Sequence, residues 1–192
     1  QFEIGKRPAL AAHNADMNSC SALTIEGQTL KGKNADGEFA ISFNNGKMQT
    51  WTYNDKALIA EGPDFNSYRK VDNDRNFRPT FSNSASVSVT GALAKSGDNA
   101  TMSVKGRANA CQYTIDYTFY PDGVVDMKVT FSPSGSLARM GLGMQFAAGF
   151  EDVEYYARGP WSNYADRKTG SMIGRYQTTV DDMVDEIGRA HV

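Results

Sequence analysis

The stretch "CQYTIDYTFYPDGVVDMKVTF", Cys111–Phe131, decides the fold. Tyr113, Ile115, Tyr117 and Phe119 take alternate positions, and Gln112, Thr114, Asp116 and Thr118 fill the positions between them. A period of two marks a strand with one face buried. Pro121-Asp122-Gly123 then presets a turn, because Pro fixes φ and Gly accepts a left-handed conformation. Val125, Met127, Val129 and Phe131 carry the apolar face back. The stretch reads as a β-hairpin laid on a core.

The same texture runs outward in both directions. Upstream, Phe39, Ile41 and Phe43 alternate with polar neighbours, and Asn44-Asn45-Gly46 suits a tight hairpin turn. Met48–Tyr53 reads as the returning strand, and Asn54-Asp55 turns the chain into a third run. Two weaker strands are expected near Ala85–Thr90 and Ala100–Lys105, joined around Gly97. Residues 139–146 and 150–157 supply two more, separated by Ala147-Ala148-Gly149. No window keeps a helical period with caps, and turn signals recur every ~8–12 residues, as in a sandwich or barrel. The fold class expected is all-β and antiparallel. No internal repeat and no Pro-, Gly- or Ser-rich linker divides the chain.

With 192 residues, 40% of them apolar, the chain is long enough for one substantial core. A net charge of -2 gives no electrostatic pull toward nucleic acid or an anionic membrane, so neither is expected as a partner. No apolar run approaches the ~20 residues that span a bilayer. The start, QFEIGKRPAL, has no initiator Met and no signal-peptide pattern, and reads as cut from something longer. Cys20 and Cys111 make neither a disulfide framework nor a zinc spacing; a single disulfide, and with it the redox compartment, stays open.

Few residues suggest chemistry in this chain. His13 and His191 are its two histidines, and His13 sits in the polar stretch AAHNADMNS, which reads as surface and not as part of a catalytic triad. Asp72, Asp74 and Asn76 stand at the first, third and fifth positions of a calcium loop, but Phe77 replaces the required Gly and Asn83 the required Glu. No metal is therefore expected there. Arg69 or Arg75 would pair a carboxylate in a loop held by side-chain-to-backbone bonds. Gly141-Leu142-Gly143 lacks the strand-to-helix setting of a phosphate loop, and Asn99-Ala100-Thr101 matches a glycosylation sequon no better than chance. A glycosidase pair needs two carboxyls ~5–5.5 Å apart for retention, a distance that spacing in sequence does not give. No catalytic residue is assigned.

One segment, "YYARGPWSNYADRKTGSMIGRYQTTVDDM", Tyr155–Met183, carries two readings. Trp161, Tyr155, Tyr156 and Tyr164 suit stacking on sugar rings, with Asn163, Asp166 and Arg167 bonding hydroxyls. The residues by themselves favour the other reading, in which the aromatics pack in the core and Arg158 and Arg167 pair Asp166 or Glu154 at a sheet corner, since large aromatics mostly serve packing.

Tyr156–Gly170 resembles the Y-G-R-G-P-W-E-N-Y-P-D-R-K-T-G signature of family-2 glycoside hydrolases, and more narrowly the C-terminal domain of large bacterial β-galactosidases. Leu137–Leu142 and Phe146–Phe150 resemble the lead-in to that signature, and Thr179–Met183 resembles its continuation. Glu61–Asn66, Arg69 and Asp72-Asn73-Asp74 resemble the family's N-x-x-R segment running into D-N-D. The chain departs from the pattern at Lys70-Val71, where one residue fewer and no Pro precede D-N-D, at Ser162 for Glu, and at Ala165 for Pro.

The resemblance implies an antiparallel β supersandwich like that of galactose mutarotase, truncated at its C-terminus, over residues 1–185. It implies that the two catalytic glutamates lie in a preceding (β/α)₈ barrel outside this chain. The chain would then be a non-catalytic domain of an enzyme that hydrolyses terminal β-D-galactosides with retention, and inactive by itself. Its partners would be the remainder of that enzyme, the β-galactoside through the full enzyme, and a second copy in a homo-oligomer. No cofactor is implied in this chain; divalent or monovalent cations of the full enzyme would be bound elsewhere. Arg69, Asp72, Asn73, Asp74, Arg158, Trp161, Asn163, Tyr164, Asp166 and Arg167 would form a substrate-rim or structural motif. Bacterial cytoplasm and periplasm both fit. The competing reading is a free-standing carbohydrate-binding or interaction module. Back-translated, Glu186–Val192 matches a common sequencing-library adapter, so residues 186–192 are expected to be a non-native tail.

Overall fold

The computed structural model describes residues 12–67, 86–108, 110–135, 137, 140–160 and 168–183. Two compact units are distinguished, His13–Ala147 and Ala148–Val192 with Gln1–Ala12.

In the first unit the strands are β1 (Thr24–Glu26), β2 (Thr29–Asn34), β3 (Gly37–Asn44), β4 (Lys47–Tyr53), β5 (Lys56–Ala57), β6 (Ile59–Asn66), β7 (Ser86–Ser96), β8 (Asn99–Ala108), β9 (Cys111–Phe119), β10 (Val125–Pro133) and β11 (Gly141–Phe146). They form a five-stranded sheet in the order β1-β2-β3-β4-β5, a four-stranded sheet β10-β9-β8-β7, and the pair β11-β6. The ladders are antiparallel, and no α-helix occurs among the described residues. No described helix is long and apolar enough to cross a membrane. The fold is all-β, as the alternation requires.

Local chemistry sets the hairpins. Asn45 and Gly46 link β3 to β4 at φ 47° and 83°, the paired positive values of a type I′ turn, which matches the twist of the flanking strands. Asn54 and Asp55, at φ 47° and 62°, repeat the device between β4 and β5. Asn54 is held there by its side chain: its Oδ1 accepts from Glu38 N–H at 2.9 Å and its Nδ2 donates to Asp36 O at 3.2 Å.

One core joins these sheets. Leu30, Phe39, Ile41, Phe43 and Met48 meet Met102, Val104, Tyr113, Ile115, Tyr117 and Phe119, with Ile59 and Phe65 from β6. Tyr117 and Phe119 stack at 5.7 Å, and Phe43 meets both edge-on at 5.7 and 5.8 Å. Such aromatic pairs add ~0.5–1.5 kcal/mol each beyond the area they bury. The outward faces are polar; Ser42 bonds Thr50 at 2.6 Å, and Ser103 donates to Asp116 at 2.6 Å.

Several expectations need adjustment. Along β9 the alternation holds throughout, from Cys111 to Phe119. Its returning partner is less covered: Val125, Val129 and Phe131 are half-buried and Met127 is 39% exposed, β10 being the last strand of its sheet among the described residues. β7 runs on to Ser96, past the expected Thr90; irregularities at Val89–Gly91 and Gly91–Ala94 interrupt the alternation that would have marked it. β1 and β2 fall where no strand was expected. Cys20 and Cys111 are both free, the latter buried, so the open disulfide question closes for this structure.

The second unit contributes the antiparallel pair β12 (Asp152–Gly159) and β13 (Met172–Thr179), with 3₁₀ turns at Lys168–Gly170 and Asp181–Met183. β13 was not expected: its Gly174 interrupts the apolar positions Met172 and Tyr176.

Candidate functional site

Most of the expected motif lies outside the described residues: Arg69, Asp72, Asn73 and Asp74 in one segment, and Trp161, Asn163, Tyr164, Asp166 and Arg167 in the other. Arg158 is described. It stands near the end of β12, where its Nη1 donates to the buried Ser171 carbonyl at 3.0 Å, tying that end to the entry of β13. This bond is of the structural kind. Glu154, considered above as an arginine partner, is bound by Arg175 Nη2 and by Gln177 Nε2, the latter at 3.3 Å. The Arg175 bond, then the Gln177 bond, hold its carboxyl below the usual range. Arg175 escaped sequence reasoning because only the register Glu154↔Gln177 brings it alongside. Tyr155 and Tyr156 separate onto opposite faces. Tyr155 is half-buried with its ring 5.5 Å from Tyr176, and Tyr156 is 77% exposed.

The first unit holds a groove of ≈ 360 Å³ along β6 and β11, lined by Glu61, Asp64, Asn66 and Gln145 with Phe65 and Met144. Asp64 is its best-connected group. Lys47 Nζ donates to Oδ2 at 2.7 Å, and Tyr113 OH and Phe65 N–H donate to Oδ1 at 3.2 and 2.8 Å. Burial, and then the Asp64 charge, push the Tyr113 phenol above its usual range and the Tyr117 phenol up to about 12. Both tyrosines are therefore held protonated, and Asp64 is committed to three donors. The cluster staples β4, β6 and β9 together and lends its groove a hydrogen-bonding wall. No local spacing announces it, since Tyr113 lies 49 residues from Asp64.

His13 is not on open surface as its polar neighbours suggest. Its Nε2 lies 2.7 Å from Asp122 Oδ2, and its ring meets Tyr120 edge-on at 4.7 Å. Asn34 Nδ2 donates to Asp122 O at 2.8 Å, and Tyr120 OH donates to Asp126 at 3.0 Å. That bond to Asp126 raises the Tyr120 phenol. The set pins the segment before β1 to the β9–β10 turn. Among the described residues, no three of His, Cys, Asp and Glu converge as a metal site.

Comparison with known proteins adds what geometry alone leaves open. The chain is 32% identical over 78 residues to a β-galactosidase of Halalkalibacterium halodurans, a match covering 38% of this chain and 8% of that protein. It is 34% identical over 73 residues to the β-galactosidase of Priestia megaterium, covering 36% and 7%, and 39% identical over 57 residues to that of Staphylococcus xylosus, covering 30% and 5%. Each match thus spans under a tenth of a much longer protein. The family model described as beta galactosidase small chain matches residues 33–189, across both units and through the motif-bearing segments, and the chain belongs to that family.

Proposed function

We propose that this chain serves as the non-catalytic C-terminal domain of a larger β-galactosidase, one that hydrolyses terminal β-D-galactosides with retention through a covalent galactosyl-enzyme. The carrying observation is the family match over residues 33–189 combined with relatives whose remaining length lies outside it. On this reading the sheets belong to a supersandwich of the galactose-mutarotase type, and the catalytic carboxyls are supplied by the barrel in the rest of the enzyme. Arg69, Asp72, Asn73, Asp74, Trp161, Asn163, Tyr164, Asp166 and Arg167, with Arg158 bracing the base of its loop, shape the rim of the sugar site. The bonding of Asp64 to Lys47 and Tyr113 supports a scaffolding role, because a nucleophile or general acid must have an oxygen turned to substrate.

The test is complementation. The chain and the barrel-bearing remainder of the enzyme are assayed with a chromogenic β-galactoside, separately and mixed. Turnover at background for the chain alone, and restored turnover for the mixture, is the expected result. Turnover by the chain alone that disappears on replacing one of its carboxylates would overturn the reading. So would a remainder that is fully active without the chain.

A further inference from the structure

One chemically reactive pair belongs neither to the groove nor to the rim motif. Asn45 is the one asparagine of the chain followed by glycine, and two aspartates share that setting, in Asp36-Gly37 and Asp122-Gly123. In such a pair the glycine nitrogen can attack the preceding side-chain carbonyl carbon and close a five-membered ring, because no Cβ hinders its approach. All three pairs stand at hairpin turns, and their hydrogen bonding separates them. Gly37 N–H donates to Asn34 Oδ1 at 3.0 Å. Gly123 N–H donates to Tyr120 O at 3.0 Å, and Asp122 is itself held by His13 at Oδ2 and by Val124 N–H at Oδ1. At Asn45-Gly46 neither the glycine N–H nor the asparagine amide bonds a protein group among the described residues, and Asn45 is exposed. A bonded nitrogen must give up its acceptor before it reacts, and that of Gly46 need not. An amide also releases ammonia more readily than a carboxylate releases hydroxide.

We propose that Asn45 is a site of spontaneous modification in the folded chain, deamidating through a succinimide to aspartate and isoaspartate. Base removes the Gly46 N–H proton, the nitrogen bonds to Asn45 Cγ, and the side-chain Cγ–N bond breaks to release ammonia. Water then opens the ring. Opening at Cγ gives aspartate on an unchanged backbone, and opening at the main-chain carbonyl gives isoaspartate, with Cγ carried into the main chain. One water enters and one ammonia leaves, with no change of oxidation state. The turn has no slack for the isoaspartyl product. Asn45 and Gly46 hold φ values of 47° and 83°, which fit the twist of β3 and β4. Gly46 also lies against the four-stranded sheet, where a Cβ on it would stand 2.9 Å from Val104 and 3.2 and 3.3 Å from Val87 and Val89. An added main-chain carbon lifts the turn from those valines. The next residue, Lys47, carries the bond to Asp64, so the disturbance reaches the staple of β4, β6 and β9.

The modification is independent of the role proposed above and is measured without any galactoside. The full 192-residue chain is kept in mildly alkaline buffer, with and without urea, and sampled by peptide mass spectrometry and by chromatography that resolves isoaspartate. In the folded chain the amide-to-acid mass gain is expected at Asn45 about tenfold faster than at any other asparagine, the lead given by a neighbour without a Cβ. Both products are expected, with a melting midpoint that falls as isoaspartate accumulates. Isoaspartate at Asp36 and Asp122 is expected only in urea, once the bonds of their glycines are gone. Asn45→Gln, which would need a six-membered ring, should hold both its mass and its midpoint. Conversion of Asn45 only in urea would overturn the proposal. So would aspartate without isoaspartate, earlier conversion at another asparagine, or isoaspartate forming as fast at Asp36 or Asp122 in the folded chain. Should Asn45→Gln fail to fold, the two products of the parent chain and its comparison with and without urea decide by themselves.

Discussion

β9 and β12 are both strands with a tyrosine-rich apolar face, and they differ in what covers that face. Along β9, Tyr113, Ile115 and Tyr117 are each 2% exposed and Phe119 is fully buried, facing the five-stranded sheet. Along β12, Val153 and Tyr155 are half-buried, and the tyrosine next in sequence is 77% exposed. β9 carries no motif at all, while β12 opens the most recognisable motif of the chain. The contrast teaches that periodicity reports how deeply a strand is buried, whereas a motif reports descent. Neither substitutes for the other, and mutations separate them.

The largest effect is expected at Tyr117. Its ring stacks on Phe119 and receives the edge of Phe43, so truncation empties a site walled by both sheets. Tyr117→Ala should cost ~3–5 kcal/mol in a urea unfolding series. Tyr155→Ala removes a ring that rests on Tyr176 and should cost less, about 1–2 kcal/mol. Equal losses would mean that the β12 face is buried as deeply as that of β9, and the contrast would fall.

Alkaline pH acts on the same core. The Tyr117 phenol is pushed up to about 12 by burial and then by the Asp64 charge, against an ordinary value of 10.0. Between those values the folded chain keeps a proton that the unfolded chain has released, so stability is full below pH 10 and falls as pH rises toward 12. Tyr113 is pushed in the same direction by burial and Asp64. The expected outcome is an alkaline unfolding transition on the order of 2 kcal/mol shallower in Tyr117→Phe than in the parent, read from melts at pH 9 to 12. Ionisation of all tyrosines near pH 10 with no change in melting would contradict the burial that distinguishes β9.

These differences also explain how much of the molecule was legible. The β3–β4 and β9–β10 hairpins were, because alternation and turn residues lie within a few positions of one another. β6 and β11 pair across some eighty intervening residues, with irregularities at Gly143–Gln145 and Gln145–Phe146, and nothing local encodes that choice. The Lys47–Asp64–Tyr113 cluster and the His13–Asp122 pair, the latter 109 residues apart, are products of the sandwich and not of any spacing. In the motif, residue identities pointed to family membership, yet the alternation of Tyr155 and Tyr156 was hidden because both are tyrosines.

The smallest effect sharpens the comparison at two strand glycines. Gly106 sits opposite Tyr113, whose ring lies across it; a Cβ there would fall 2.1 Å from Tyr113 Cζ. The ring has little freedom to move away, being stacked on Phe65 at 5.4 Å and bonded through its hydroxyl to Asp64. Gly106→Ala should therefore cost ~1–3 kcal/mol, as overpacking does, and should lower the Tyr113 phenol by breaking its contact with Asp64. Gly174 in β13 also lies near a tyrosine, but a Cβ there would meet the Tyr176 hydroxyl at 3.2 Å, so a shift of a few tenths of an ångström relieves it, and the half-buried ring can make that shift while its hydroxyl keeps its bond to Met172 O at 2.9 Å. Gly174→Ala should change stability by no more than about 0.5 kcal/mol, because the slight crowding is offset by the backbone entropy that Ala saves in a strand. The two midpoints, measured under one set of conditions, decide the matter. A Gly174→Ala loss as large as that of Gly106→Ala would show Tyr176 to be as tightly held as Tyr113, and the β12–β13 pair would then be as closely packed as β8–β9.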